Sequence, residues 1–494
     1  MKFKFVILLG VLILTTSCAN NKWGAFDSLQ NVGKVSLPGA VLYDANSNTY
    51  RITGSGENIW GTEDAFAFLN KQVAGDVTMS VSVDFEGEGK HEHRKAGCMV
   101  RESMAAGSRY VDAVLHGDGL VSMQFRRETD GETFEVKAPV THVKNLMLER
   151  HADVFTFSLL TADGGIEPVG SIVLPMSEQV YAGLAVTSHD STVSETALLS
   201  NVTFENAGVF ADSERVLEST LEVINMETRQ RRIIRRVLEH FEAPNWSRDG
   251  KYFVYNKEGR LYKLPVTGGE PEEISTGFAT TCNNDHGFSP DGSQIAISHN
   301  TKEQGSIIYL VPANGGEPKQ ITPVGPSYWH GWSPDGKTLA YCAQRNGEFD
   351  VYSVPVTGGK ETRLTTAKGL DDGPDYSPDG KYIYFNSVRT GLMKIWRMRT
   401  NGSRQEQMTF GDEYGDWFAH PSPDGKDLVF VSFDKSVEGH PMNKPVVLRT
   451  MSANGGEPEI IAYLFGGQGT INVPSWSPDS KEVAFVSYRL VGKK

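Results

Sequence analysis

Apolar and polar residues alternate with a period of two along most of this chain, in short runs broken by Gly, Asp, Asn and Pro. "DVTMSVSVDF" puts Val77, Met79, Val81 and Val83 on one face, and "KTLAYCAQ" and "FDVYSVPV" later in the chain behave alike. No helical period of useful length is evident between residues 25 and 210. Turn clusters "EGEGKH", "HGDGL", "ETDGE" and "TADGG" separate the runs there, so an all-β sandwich is expected over 25–210. A length of 494 residues suits two cores better than one.

From about residue 215 the alternation acquires a long period. A hallmark recurs as "NWSRDGKYFVY", "GFSPDGSQIAI", "GWSPDGKTLAY", "DYSPDGKYIYF", "HPSPDGKDLVF" and "SWSPDSKEVAF", centred on Trp246, Phe288, Trp332, Tyr376, Pro421 and Trp476. Those positions are 42, 44, 44, 45 and 55 residues apart, which suits four short strands per unit. Each unit reads as a strand ending in an aromatic, a Pro-Asp-Gly turn, an alternating strand, a third strand, a "TGG" or "NGG" turn and a fourth strand such as "ETRLTT". This is one blade of a β-propeller. After Trp476 only two strands remain, whereas "TLEVINMETRQRRIIRR" from Thr220 reads as a third and fourth strand without a first and second. A ring closed two plus two has no free edge, so six blades over 215–494 are expected.

The hallmark with its following "GGEP" turn resembles the WD40-like repeats of TolB-type six-bladed propellers. That resemblance implies binding of other envelope proteins. In the first half, "KAGCMVRESMAAGSRYVDAVLHGDGLVSMQFRRE" resembles the concanavalin-like jelly-roll modules of glycan-active bacterial proteins, which implies a carbohydrate site with Trp60, Arg101 and His116 as contacts.

The amino terminus adds a location. Two lysines, an apolar run from Phe5 to Leu14 and small residues up to Cys18 have the shape of an export signal, too short to span a bilayer. Small residues leading directly into a cysteine resemble the lipobox of bacterial lipoproteins, with Thr15 where Leu is usual. Residues 1–18 are therefore expected to be a signal through an acylated Cys18, with the lipid as the only membrane contact. Ala19 after it suits an outer-membrane lipoprotein. A formal net charge of −13 disfavours phosphate backbones, which excludes nucleic acid as a partner. Cys98, Cys282 and Cys342 have neither disulfide nor metal-ligand spacing.

In a propeller the residues just before each hallmark aromatic lie near one mouth of the central channel. Two positions before it stand Pro244, His286, His330, Pro374, Ala419 and Pro474; four before it stand Glu242, Asn284, Tyr328, Asp372, Trp417 and Asn472. His420 sits one residue later in its own blade, and the two longest excursions bring His440 and Gln468 to the same face. A purely structural repeat would use the same residue in every blade. The expected ligand-binding set is thus Asp285, His286, His330, Asp371, Asp372, Trp417, His420 and Gln468. His286, His330 and His420 are candidate ligands of a divalent metal, since imidazoles and carboxylates suit a transition metal. The arrangement resembles, loosely, oligogalacturonate lyases, which hold a metal with histidines but have seven blades. That resemblance implies metal-assisted proton abstraction from an acidic sugar, with His440 as the candidate base. No nucleophile elbow, HExxH or phosphate loop occurs. The expected partners are a carbohydrate or an envelope protein. The two function classes are a binding protein and a carbohydrate-active lyase or hydrolase.

Overall fold

A computed structural model describes residues 22–493. The expected signal and the acylation of Cys18 lie outside the described residues. Among those residues, no helix is long and apolar enough to cross a membrane.

The first half is two seven-stranded antiparallel sheets with one core between them. The first sheet runs Ser28–Val32, Phe66–Ala74, Gln179–Thr187, Lys95–Arg101, Tyr110–His116, Val121–Arg126, Thr133–Lys137. Its partner runs Ile166–Val173, Val154–Leu160, Asn145–His151, Asp76–Phe85, Asp190–Gly208, Thr49–Gly56, Ala40–Asp44. The period-two face of Val77, Met79, Val81 and Val83 is buried in this core against Ala96, Cys98, Val100 and Leu184 of the first sheet. The alternate residues of the first sheet, among them Lys95, Arg101, Asp112, His116, Gln124 and Arg126, leave the core by the same pleat, yet all are buried. A small hairpin, Ile59–Trp60 with Glu63–Asp64, covers part of that outer face. Ile59 packs there with Phe66, Phe68, Met99 and Tyr110. Asp64 receives both terminal nitrogens of Arg126 at 2.7 and 2.8 Å and one of Arg101 at 3.4 Å.

The second half is a six-bladed ring. Five blades are four-stranded antiparallel sheets whose inner strands are Glu242–Trp246, Cys282–Phe288, Ser327–Trp332, Asp371–Tyr376 and Tyr414–Pro421. The sixth is ordered, from inside out, as a bridge at Trp476, then Glu482–Gly492, Arg215–Asn225 and Arg231–Val237. Two strands thus come from each end of the ring, and Arg215 to Asn225 pair with Gly492 to Glu482 over eleven positions.

The hallmark is explained by its own hydrogen bonds. In all six units the serine hydroxyl donates to the aspartate two residues on, from Ser247 to Asp249 at 2.8 Å through Ser477 to Asp479 at 2.7 Å. The same hydroxyl accepts the amide five residues on, as from Tyr252 and Glu482. The following position has a positive φ, filled by Gly in five blades and by Ser480 at φ 63 in the sixth. The hallmark tryptophans fasten neighbouring blades: Trp332 Nε1 donates to the Gly287 carbonyl and Trp476 Nε1 to that of His420, each at 3.0 Å.

The two halves meet through an ionic seam. Arg215 grips Asp76 at 2.8 and 2.9 Å, and Arg489 bridges Glu149 of the sandwich and Glu218 of the ring. Tyr463 packs against the sandwich core.

Candidate functional site

Every complete blade has a register shift in its inner strand, between residues 242 and 245, 282 and 286, 329 and 331, 372 and 375, and 417 and 420. Ala243, Gly373 and Phe418, each three residues before the hallmark position, hold positive φ angles of 58°, 59° and 56°. An extra residue re-aims the side chains on either side of it. Residues near the start of the inner strand therefore reach one end of the channel, and those beside the hallmark reach the other.

The first end holds a cavity of about 430 Å³. Asp285, Tyr328, His330, Asp372, His440 and Gln468 line it, with Asn283 and Asn284 from the second blade. The other end is a cavity of about 230 Å³ walled by hallmark residues, including Trp246, Trp332, Trp476, Pro290, Pro334 and Pro378.

At the first end His330 Nε2 and Asp372 Oδ1 are 3.1 Å apart, and both residues are buried. Burial would raise the Asp372 carboxyl, but the hydrogen bond and charge of His330, with His440, bring it down to about 2. Burial likewise works against protonation of His330, and Asp372, Asp285 and Asp375 outweigh it, so its pKa is raised. His330 Nδ1 meets no protein hydrogen-bond partner. Asp285 accepts from Asn472 and Asn283 at 2.7 Å each, and burial raises its pKa against the pull of His330. Next to it Glu242, tied to Asn284 at 3.3 Å, is pushed up to about 7 by burial, with the Asp285 charge adding to the effect. His440 lies edge-on to Trp417 at 4.4 Å and Phe418 at 5.3 Å between ring centroids. The cavity is thus acidic, amide-rich and walled on one side by rings, with one imidazole-carboxylate pair inside it.

Other members of the expected set lie elsewhere. His286 is fully buried with its ring nitrogens 3.0 Å from the Asn284 carbonyl and 3.2 Å from that of Val254, and burial lowers its pKa to about 4. Asp371 is held by Arg389 at 2.8 and 2.9 Å. Trp417 is buried as the support of His440. His420 Nδ1 pairs with Asp375 at 3.0 Å, and Asp375 lines the opposite end of the channel. Among the described residues the one group of three or more His, Cys, Asp or Glu with ligand atoms all within 4.8 Å of one another is His93, His116 and Asp118. The structure therefore does not bring His286, His330 and His420 to a common point: the inner-strand bulges turn them to different surroundings. Tyr328 and Asn284 were visible in the sequence as residues four before the hallmark. Asn283, Asn300, Cys342 and Phe349 join the lining only through the fold.

On the sandwich, Trp60 and His116 share a cavity of about 260 Å³ with His93, Lys95, Gln124 and Glu135. Trp60 is 40% exposed, and the Lys95 ammonium sits 5.4 Å from the centre of its ring. Arg101 does not join them. It is fully buried, bound to Asp64 and to the carbonyls of Ser103 and Ala105. Cys98, Cys282 and Cys342 are all buried free thiols.

Residues 325–455, within the ring, match the family model described as TolB beta propeller domain. An uncharacterized protein of Agrobacterium fabrum is 54% identical over 273 residues, which are 55% of this chain and 93% of that protein. A solved chain from Agrobacterium tumefaciens, described as a TolB, is 53% identical with a TM-score of 0.54, over 55% of this chain and 99% of that one. TolB from Acinetobacter baumannii is 19% identical with a TM-score of 0.41, over 62% of this chain and 76% of that one. With relatives more than half identical over nearly their whole lengths, and a six-bladed ring bearing the repeat of that family model, this chain belongs to the TolB-type β-propeller family.

Proposed function

We propose that this protein is an exported, lipid-anchored envelope protein that binds a polar ligand, a glycan segment above all, in the cavity at the first end of the propeller channel. The observation that carries the reading is the cavity itself. At about 430 Å³ it falls in the range of small-ligand sites. Its lining of carboxylates, carboxamides and imidazoles beside Tyr328 and Phe349 supplies hydrogen bonds to hydroxyl groups and flat apolar surface to a sugar face. The amino-terminal signal pattern and Cys18 support export and anchorage in the outer membrane, and membership of the TolB-type family supports an envelope setting, with another envelope protein as the alternative ligand. Mass analysis of the amino-terminal peptide tests the acylation of Cys18.

Glycan-array binding, followed by calorimetry on the best ligand, tests the cavity. Tyr328→Ala and Gln468→Ala, two lining positions outside the buried ion pair, are expected to weaken binding at least tenfold while the thermal transition stays in place. Glycan binding that survives both variants, or capture of a defined envelope protein alone with wild-type strength in both, would count against the reading.

A second reading is a carbohydrate-active enzyme, a lyase or hydrolase, and the His330–Asp372 pair within reach of the same cavity as His440 favours it. Two histidine side chains and a carboxylate around one cavity can serve as acid and base. Incubation with uronate-containing oligosaccharides, with ultraviolet detection of unsaturated products, tests it. Turnover lost in both His330→Ala and His440→Ala would support the enzyme, and turnover retained in both would sink it.

A further inference from the structure

Four of the chain's twelve histidines gather on the outer face of the first sandwich sheet. His91 and His189 rings lie 4.0 Å apart, His93 is 5.6 Å from each of them, and His116 is 6.0 Å from His93. Topology explains the meeting. Lys95 opens one strand directly opposite His116, which closes the next. His93 precedes the first of these strands and Asp118 follows the second. A nitrogen of His93, a nitrogen of His116 and an oxygen of Asp118 all fall within 4.8 Å of one another.

His116 is the telling member. It is 4% exposed, its Nδ1 has no hydrogen-bond partner, and its Nε2 has only long approaches to Ser122 at 3.4 Å and Gln124 at 3.5 Å. A buried ring nitrogen left without a partner costs free energy unless something else satisfies it. Lys95, the buried cation of the same cavity, is tied to Asn58, the Ile59 carbonyl and Gln124 at 2.8 to 3.1 Å.

We propose that His93, His116 and Asp118 hold a divalent transition-metal ion of the zinc type on the sandwich. Two imidazoles and one carboxylate are a donor set that such ions accept, and three protein ligands leave a coordination position for water or an outside ligand. His93 and His116 both line the cavity of about 260 Å³ that Trp60, Gln124 and Glu135 share. A hydroxyl- or carboxylate-bearing ligand resting on Trp60 would complete the coordination. This site is independent of the channel cavity and does not rest on the function proposed for it.

The test is titration of the full chain, stripped of metal, with zinc against a chromogenic chelator. One equivalent of zinc is expected to bind, with affinity falling at least tenfold in His93→Ala and in Asp118→Asn. The partial exposure of these two side chains, 44% and 34%, keeps both variants foldable even if His116→Ala is not. The His286→Ala/His330→Ala variant should bind as the wild type does. Cobalt(II) in place of zinc should give visible bands that the sandwich variants lose. Failure of the wild type to compete with the chelator, wild-type affinity in both sandwich variants, or loss of binding in the channel variant alone would overturn the proposal.

Discussion

Replacing Asp64 by Ala should damage the sandwich far more than any surface change. Asp64 is hydrogen-bonded to two guanidinium groups, those of Arg101 and Arg126, and all three side chains have 0% exposure. Removing it leaves two cations facing each other in the protein interior. Breaking a buried pair in this way costs about 3 to 5 kcal/mol. The lower half of that range is expected, because Arg126 keeps the carbonyls of Gly61, Gly131 and Ser108, and Arg101 those of Ser103 and Ala105. For a domain of this size a loss of about 3 kcal/mol lowers the melting temperature by roughly 6 to 12 °C. Scanning calorimetry of the full chain, with urea unfolding as a second measure, would read it. Asp64→Asn should cost less, since the amide oxygen still accepts one guanidinium bond. A loss below about 1 kcal/mol in Asp64→Ala would refute the argument, and so would an Asp64→Asn variant less stable than Asp64→Ala.

Gly287→Ala would put a Cβ 2.1 Å from the ring of Trp329 in the next blade, so a loss of about 1 to 3 kcal/mol in urea unfolding is expected. Glu242→Gln should change the pH dependence. The folded pKa of about 7 lies above the ordinary 4.5, so the native state binds more protons between those values and stability falls as pH rises through that window. The glutamine variant should lack that slope and be more stable than the wild type at pH 8 by up to about 3 kcal/mol. Parallel slopes for the two proteins in denaturant titrations from pH 4 to 8 would contradict the assignment.

The ring was legible because its signals are local. Each Ser-x-Asp-Gly turn is stabilised by bonds spanning five residues, and the strand count at the two ends requires the two-plus-two closure. The sandwich face of Val77, Met79, Val81 and Val83 was legible for the same reason, since pleat parity depends on nothing distant. The channel site was legible in part. Counting back from the hallmark found Asp285, His330 and Asp372, and loop length pointed to His440 and Gln468. The same count grouped His286 and His420 with them, but an inner-strand bulge carries no sequence mark when Ala243 or Phe418 adopts the positive φ. Blade-to-blade contacts were also invisible. The glycine after His286 is needed because Trp329 lies against it, and that tryptophan is 42 residues away. Of the sandwich histidines the sequence singled out His116 alone, as a carbohydrate contact, since residues 93, 116 and 189 meet only through strand pairing.

The closure of the ring has a consequence for the newly made chain. Arg215–Asn225 is synthesised before any of the five complete blades, yet its inner neighbour is Glu482–Gly492, which is synthesised after all of them. During synthesis this strand waits with one row of amide and carbonyl groups unpaired while some 250 residues follow it. The half-made propeller is therefore an open arc with an adhesive edge. The arc becomes a ring in a single late event, and a truncated or slowly made chain would offer that edge to its neighbours.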